Sequence, residues 1–299
     1  MKSNLQNDPC SEFEVNLQKL LGTITVNAWR LYLRTPYTHA TTPMIRGVWG
    51  RALRHVDRAL YDEIFIGSNQ QSQNLPRYIL RPAPADPNTA PAIDLILFNV
   101  DENCDQTIWK SWEMASVMGL GKNREPFRIR RRECLTSDNS IDGFNWNSWT
   151  LSDVQWPLPN PPESTPCQLR FDVPLRLIKK RSLLRTPEFS DLITASFRRI
   201  ALLAGLQRSA SYAHLIRTAK FLSSHTEAHP WVGEKCNLVR WSGAQQREVE
   251  LFGVTGSIVL PNGAGAVWPL ISASQWSHLG KGTVFGMGQI QIMNMSSTK

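Results

Sequence analysis

The chain has 299 residues, 41% of them hydrophobic and 19% charged, which is too apolar for wholesale disorder and long enough for two cores of roughly 130–160 residues each. No apolar run approaches the ~18 residues a membrane helix needs, and the opening MKSNLQNDPCSEFEVN lacks the apolar stretch of a secretory signal, so a cytoplasmic protein without membrane contact is expected. Five widely spaced cysteines (Cys10, Cys104, Cys134, Cys167, Cys236) without a CxxC pair exclude a disulfide framework and a Cys-based zinc site.

Ile24 to Leu33 is rich in β-formers. Its alternation shifts phase from Ile24, Val26, Ala28 to Trp29, Leu31, Leu33, which predicts a strand with a bulge or bend. A polar loop, Arg34 to Thr41, leads to Thr42 and Pro43, a suitable cap and first turn. Met44, Val48, Ala52, Val56 and Leu60 then recur every four residues, an amphipathic helix with Arg51, Arg54 and Arg58 on its polar side. Strands are expected at Arg77–Leu80 and Asp94–Val100 around a proline-rich loop, then a helix over Asp105–Met118 and an arginine-rich strand from Phe127 to Cys134. Strand, helix, strand, strand, helix, strand is the split βαβ order of a ferredoxin-like domain.

From Thr136 to Pro166 the composition turns to Asn, Ser, Asp, Trp and Pro, which places a junction there and divides the chain into 1–155 and 156–299. The second half restarts with a strand at Leu169–Ile178 and a helix from Thr186 to Gly205. Strands near Glu248–Leu251 and Ser257–Leu260, a helical turn around Trp268–Trp276 and a last strand over Val284–Met293 complete it. The expected fold is therefore α+β, with two tandem ferredoxin-like (βαββαβ) domains.

Thirty-three Lys and Arg against 25 Asp and Glu give a net charge of +8, which raises a polyanionic partner. The basic residues gather in two runs that alternate with apolar ones. One holds Arg128, Arg130 and Arg132; the other holds Arg176, Lys179, Lys180 and Arg181. Near the C-terminus, His278-Leu-Gly-Lys-Gly-Thr-Val-Phe-Gly-Met-Gly288 fits neither a dinucleotide fingerprint nor a P-loop. It reads as a glycine-rich loop entering a strand, where Gly280, Gly282, Gly286 and Gly288 would free backbone N–H groups for phosphate and Lys281 would add a charge. A tight structural turn is the other reading. His225 and His229 have metal-ligand spacing, but HTEAH puts the acid in the wrong place for a HExxH site, so no metal and no cofactor are expected.

The segment Leu251-Phe-Gly-Val-Thr-Gly-Ser-Ile, then Trp268-Pro-Leu-Ile and the glycine-rich loop, resembles the C-terminal part of CRISPR repeat-cleaving endoribonucleases of the RAMP superfamily. Phe171-Asp-Val-Pro-Leu-Arg-Leu-Ile-Lys-Lys and Met44-Ile-Arg-Gly-Val-Trp-Gly-Arg-Ala-Leu-Arg are similar to that family's second opening strand and first helix. The resemblance implies tandem ferredoxin-like domains that bind the repeat of precursor CRISPR RNA and cut it without metal, with other CRISPR effector subunits as further partners. The 2′-hydroxyl would attack, aided by a base and a cation. It also implies that His39, in the loop between first strand and first helix, is the base, with Tyr37 and Arg46 beside it; an arginine mechanism through Arg46 or Arg34 is the alternative. Arg34, Arg51, Arg54, the two basic runs and the glycine-rich loop are the expected RNA contacts. Two rivals stay open: a repeat-RNA-binding subunit that does not cleave, and a general RNA-binding module, although no RRM-type aromatic motif is present.

Overall fold

The computed structural model describes residues 9–34, 41–67, 75–84, 91–206, 209–242 and 247–295. Helix α1 (Pro9–Gly22) comes first, followed by β1 (Thr25–Arg34), α2 (Thr42–Val56), the single turn α3 (Arg58–Tyr61), β2 (Tyr78–Pro82) and β3 (Ala92–Phe98). Then come α4 (Asp105–Met118), β4 (Arg128–Leu135) and the short β5 (Trp149–Thr150). The second half holds β6 (Cys167–Leu175), the small hairpin β7 (Ile178–Lys179) and β8 (Ser182–Leu183), α5 (Phe189–Leu203), α6 (Ala210–His225), β9 (Val232–Ser242), β10 (Arg247–Leu260), α7 (Trp268–Ser277) and β11 (Gln291–Asn294).

The first sheet has the order β2-β3-β1-β4, with β5 also on β1, and the second has β11-β6-β10-β9. Numbered within each half these are the same order, and every pairing is antiparallel. The fold is thus α+β with tandem ferredoxin-like sheets.

The first sheet is covered on both faces. Trp29, Leu31 and Leu33 of β1, with Tyr78, Leu80, Leu95 and Leu97, pack under Val48, Trp49, Leu53 and Trp112 of α2 and α4. Val26, Ala28, Ile79, Ile96 and Phe98 point the other way, into the core built by the second sheet and its helices. This explains the phase shift along β1: apolar residues change face because both faces are buried. The bulge lies in its pairing with β4, between Tyr32 and Leu33, where Arg130 is the extra residue.

The structure corrects the sequence reading at several elements. Residues before Ile24 carry helix α1, whose Phe13, Leu17, Leu20 and Leu21 join the core shared with the second sheet. The first-domain helix stops at Val56 instead of Leu60, because Asp57 turns extended and its carboxylate caps the next turn through the Leu60 amide. The strand opening the second half ends at Leu175, not Ile178. Glu248–Leu251 and Ser257–Leu260 belong to one strand, β10. The glycines between them mark a bulge and close backbone approach: a Cβ on Gly256 would lie 2.3 Å from the Val232 carbonyl oxygen. The true second strand is β9, and α6 is a further helix with its N-cap at Ser209, whose hydroxyl accepts the Tyr212 amide. The last strand is only Gln291–Asn294, since Thr283–Phe285 form a 3-10 turn between Gly282 and Gly286, both left-handed. His225 ends α6 and Thr226 is extended, so His225 and His229 do not share a helical face.

Leu17 is fully buried on a helix the sequence reading leaves unassigned. Leu17→Ala should lower unfolding stability by about 2–5 kcal/mol, read as a reduced denaturation midpoint at unchanged slope. A change within error would mean that α1 lies loosely on the surface.

Candidate functional site

The start of α2 meets the glycine-rich loop. Arg46, in the first turn of α2, donates from Nε to Tyr78 Oη on β2. Its guanidinium lies 5.4 Å from the Phe65 ring centre, 5.9 Å from that of Tyr78 and 5.2 Å from that of Phe285, which belongs to the loop after α7. Burial pushes the Tyr78 phenol well above its ordinary value, so it stays protonated beside the cation. Arg34 ends β1 and Thr41 is the N-cap of α2. Tyr37 and His39, between them in sequence, lie outside the described residues.

The loop is braced from both sides. Its Leu279, Lys281, Phe285, Gly286 and Gly288 amides donate to the carbonyls of Gly288, Arg176, Gly282, Thr283 and Pro174 in turn. A Cβ on Gly286 would sit 3.1 Å from Arg81 Cα and from the Leu80 carbonyl oxygen, and one on Gly282 would sit 2.6 Å from Met287 Sδ. Gly280 pairs with Arg176 through a parallel bridge, and Gly288 presses on the Leu279 carbonyl. Lys281 is exposed.

Beneath the loop, Asp94 of β3 is fully buried between two arginines: Arg30 Nε at 2.8 Å and Arg81 Nε at 3.1 Å. Arg81 also donates to the Gln275 carbonyl (3.1 Å) and to Asn139 Oδ1 (3.0 Å), and stacks over Trp276 at 4.9 Å. One side chain of the first sheet therefore holds the end of α7. His278 follows α7 and is fully buried, with Nδ1 3.1 Å from the Met287 carbonyl oxygen. That nitrogen must carry the proton. Burial first, then the charges of Arg81 and Arg199, push its pKa well below the ordinary value.

The arginine-rich strand divides its side chains. Arg132 lies between Trp29 and Trp109, 5.0 and 4.1 Å from their ring centres, and 3.6 Å from Asp105, so it packs inward. Arg131 stacks on Tyr32 at 4.2 Å and pairs with Glu133. Arg128 is exposed directly opposite exposed Arg34 across the strand pair, a like-charge arrangement that costs stability unless an anion meets it. Arg130, at the bulge, is exposed as well. On α2, Arg51 and Arg54 are exposed, Arg54 lying over Tyr61. Arg176 donates from Nη1 to the Phe252 carbonyl at 2.8 Å, a structural use. Lys180 and Arg181 form the exposed two-residue tip of the β7–β8 hairpin with φ of 52° and 66°, a turn that favours Asn and Gly; Lys179 pairs with Asp191 at 2.8 Å.

The structure thus gathers Arg46 and the loop from Gly282 to Gly286 in one place, and Arg34 with Arg128 in another pair. Sequence reasoning missed Tyr78, Phe65 and Phe285. Tyr78 lies inside the expected Arg77–Leu80 strand with no role of its own, Phe65 falls in no expected element, and Phe285 stands only where a dinucleotide fingerprint would need its third glycine. Among the described residues there is no group of three or more potential metal ligands, and no helix is long and apolar enough to cross a membrane.

Residues 169–290 match the family model of the CRISPR-associated endoribonuclease Cas6. That span runs from the opening strand of the second half to the end of the glycine-rich loop. The resemblance to the repeat-cleaving endoribonucleases is borne out. Among solved structures, a Cas6 product complex is similar over 90% of this chain and 100% of that one, with TM-score 0.55 and 18% identity. A Thermus thermophilus Cas6 gives 0.53 and 13% over 90% and 99%. A Cas6-RT-Cas1–Cas2 complex, described as partial, gives 0.55 and 12% over 90% of this chain and 45% of that one. Identities this low show a shared tandem fold. No curated protein matches.

The buried His278 predicts a pH response. Its pKa is depressed in the folded chain, so below the unfolded value of about 6.5 the unfolded state binds the extra proton and stability falls with pH. His278→Asn keeps an N–H donor that can face the Met287 carbonyl while removing the titrating ring. The variant should lose the part of the stability decline between pH 7 and 5.5 that wild type shows in chemical denaturation. Parallel curves for both proteins would contradict the assignment.

Proposed function

We propose that this protein is a CRISPR repeat-processing endoribonuclease, which binds the repeat of precursor CRISPR RNA and cuts it by attack of the neighbouring 2′-hydroxyl, without metal. The observation that carries the reading is the meeting of Arg46 with Phe285: the loop closing the Cas6-matched span lies against the first turn of the helix that follows His39 in sequence. The relatives' description as product complexes fits a bound, cleaved repeat.

In this reading His39 removes the proton from the 2′-hydroxyl, and the oxygen attacks the adjacent phosphorus. The 5′-oxygen leaves and takes up a proton, giving a 2′,3′-cyclic phosphate and a 5′-hydroxyl end. Arg46 meets the extra negative charge of the phosphorane with a guanidinium whose orientation is fixed before RNA arrives. Tyr37 lies close in sequence to orient the attack. Arg34 and Arg128, with Arg130, Arg51, Arg54, Lys180, Arg181 and Lys281, supply exposed cations for the backbone. The similarity to the Cas6-RT-Cas1–Cas2 complex supports further CRISPR proteins as partners.

Incubation with labelled repeat RNA in EDTA tests the reading. Cleavage should persist in the chelator, yield cyclic-phosphate ends and stop when the scissile nucleotide is 2′-deoxy. His39→Ala should slow cleavage about a hundredfold or more, the usual contribution of a general base, with little change in binding. Tight binding without any cut would leave a repeat-RNA-holding subunit instead.

A further inference from the structure

We infer that the glycine-rich loop acts through Phe285 as a positioning element for Arg46, and that Tyr78 completes the seat; the inference rests on the catalytic reading above. A phosphate cradle needs amides that point to solvent. Here the amides of Leu279, Lys281, Phe285, Gly286 and Gly288, two of the loop's four glycines among them, already bond to carbonyls of the chain. Gly282 and Gly286 serve the turn itself. Gly282 and Gly286, both left-handed at φ 83° and 80°, bracket the single 3-10 turn that carries Phe285, and Gly286 lets that turn lie directly on Arg81 and Leu80. A side chain at Gly286 would hold the turn off β2 and withdraw the ring.

The ring's destination is a cation from the other half of the chain. Phe285 lies 5.2 Å from the Arg46 guanidinium carbon, and Phe65 and Tyr78 are its other aromatic neighbours. Aromatic contact holds the cation electrostatically without neutralising it, unlike a carboxylate. Tyr78 Oη accepts a hydrogen bond from Nε, and among the described residues no carboxylate pairs with Arg46. The guanidinium is therefore held in one orientation by rings and a phenol instead of by a counter-ion, the arrangement that stabilising a phosphorane demands. Phe285 and Tyr78 act through the cation they touch, so they are positioning residues.

Single-turnover cleavage at saturating repeat RNA, with affinity and thermal melting measured in parallel, tests this on Phe285→Leu, Phe285→Tyr, Tyr78→Phe and Arg46→Ala. Phe285→Leu should slow cleavage about tenfold or more at unchanged RNA affinity, as misplacement of a catalytic group does. Phe285→Tyr, which keeps an aromatic ring, should restore most of the rate. Tyr78→Phe removes one oxygen, keeps the packing and should slow cleavage likewise, so the proposal stays testable if Phe285→Leu folds poorly. Wild-type rates in folded Phe285→Leu and Tyr78→Phe, with Arg46→Ala inactive, would overturn the positioning role and leave the catalytic reading intact. A wild-type rate in Arg46→Ala would overturn the part given to Arg46 and the positioning inference with it.

Discussion

One buried carboxylate organises the place where the two halves meet. Asp94 is inaccessible to solvent and bonds to both Arg30 and Arg81, so the sheet carries two guanidiniums around one anion. Such a group is costly to desolvate, and removing one partner from a buried pair typically costs about 3–5 kcal/mol, because an uncompensated charge remains. Its use here is geometric. With Nε held by Asp94, the rest of Arg81 reaches the Gln275 carbonyl, Asn139 and the face of Trp276. The end of α7 is thereby fixed over β2, and the glycine-rich loop that follows has one way to continue. The position of Phe285 on Arg46 is a consequence of that chain of contacts.

Two-sided burial of the first sheet sets a second constraint. Ferredoxin-like RNA binders often use the sheet face away from the helices, where exposed aromatics stack on bases. In this chain the corresponding face buries Val26, Ala28, Ile79, Ile96 and Phe98 against the second core. Where it emerges from that cover it presents Arg30 donating to Asp94 and Tyr32 donating to Glu133, not free rings. The exposed cations lie at the edges instead: Arg34 and Arg128 face each other, Arg130 stands at the bulge, and Arg51 and Arg54 lie on the exposed side of α2. The basic side chains of this half are thus exposed where the sheet face is not.

The first domain was legible because its elements follow simple periods. The four-residue recurrence from Met44 marks α2, and glycines end α4. The second was harder. β10 contains Gly253 and Gly256, and glycine within a strand reads as a break unless the neighbouring backbone that requires it is known. β9 opens VGEKCN, with too little apolar alternation to stand out, and α1 precedes any recognisable pattern although it fills the shared core. For the site, residue types were legible and roles were not. Arg132 and Arg128 look alike in sequence, yet one is sandwiched by tryptophans and the other is exposed. Arg81 is silent in the sequence, since a lone arginine in a short strand carries no signal of the carboxylate it will meet. Tyr78 and Phe285 lie more than two hundred residues apart, and their convergence on Arg46 is a product of the fold.

The central claim is that both halves of the chain build one reacting centre at the start of α2. The most direct measurement is a crystal structure of the protein with a repeat RNA made uncleavable by a 2′-deoxy nucleotide at the scissile position. The account predicts the scissile phosphate within hydrogen-bond distance of the Arg46 terminal nitrogens, with Phe285 still stacked on the guanidinium and the His39 ring facing the 2′ position. A scissile phosphate bound elsewhere, with Arg46 enclosed by its aromatic neighbours and out of reach, would contradict it.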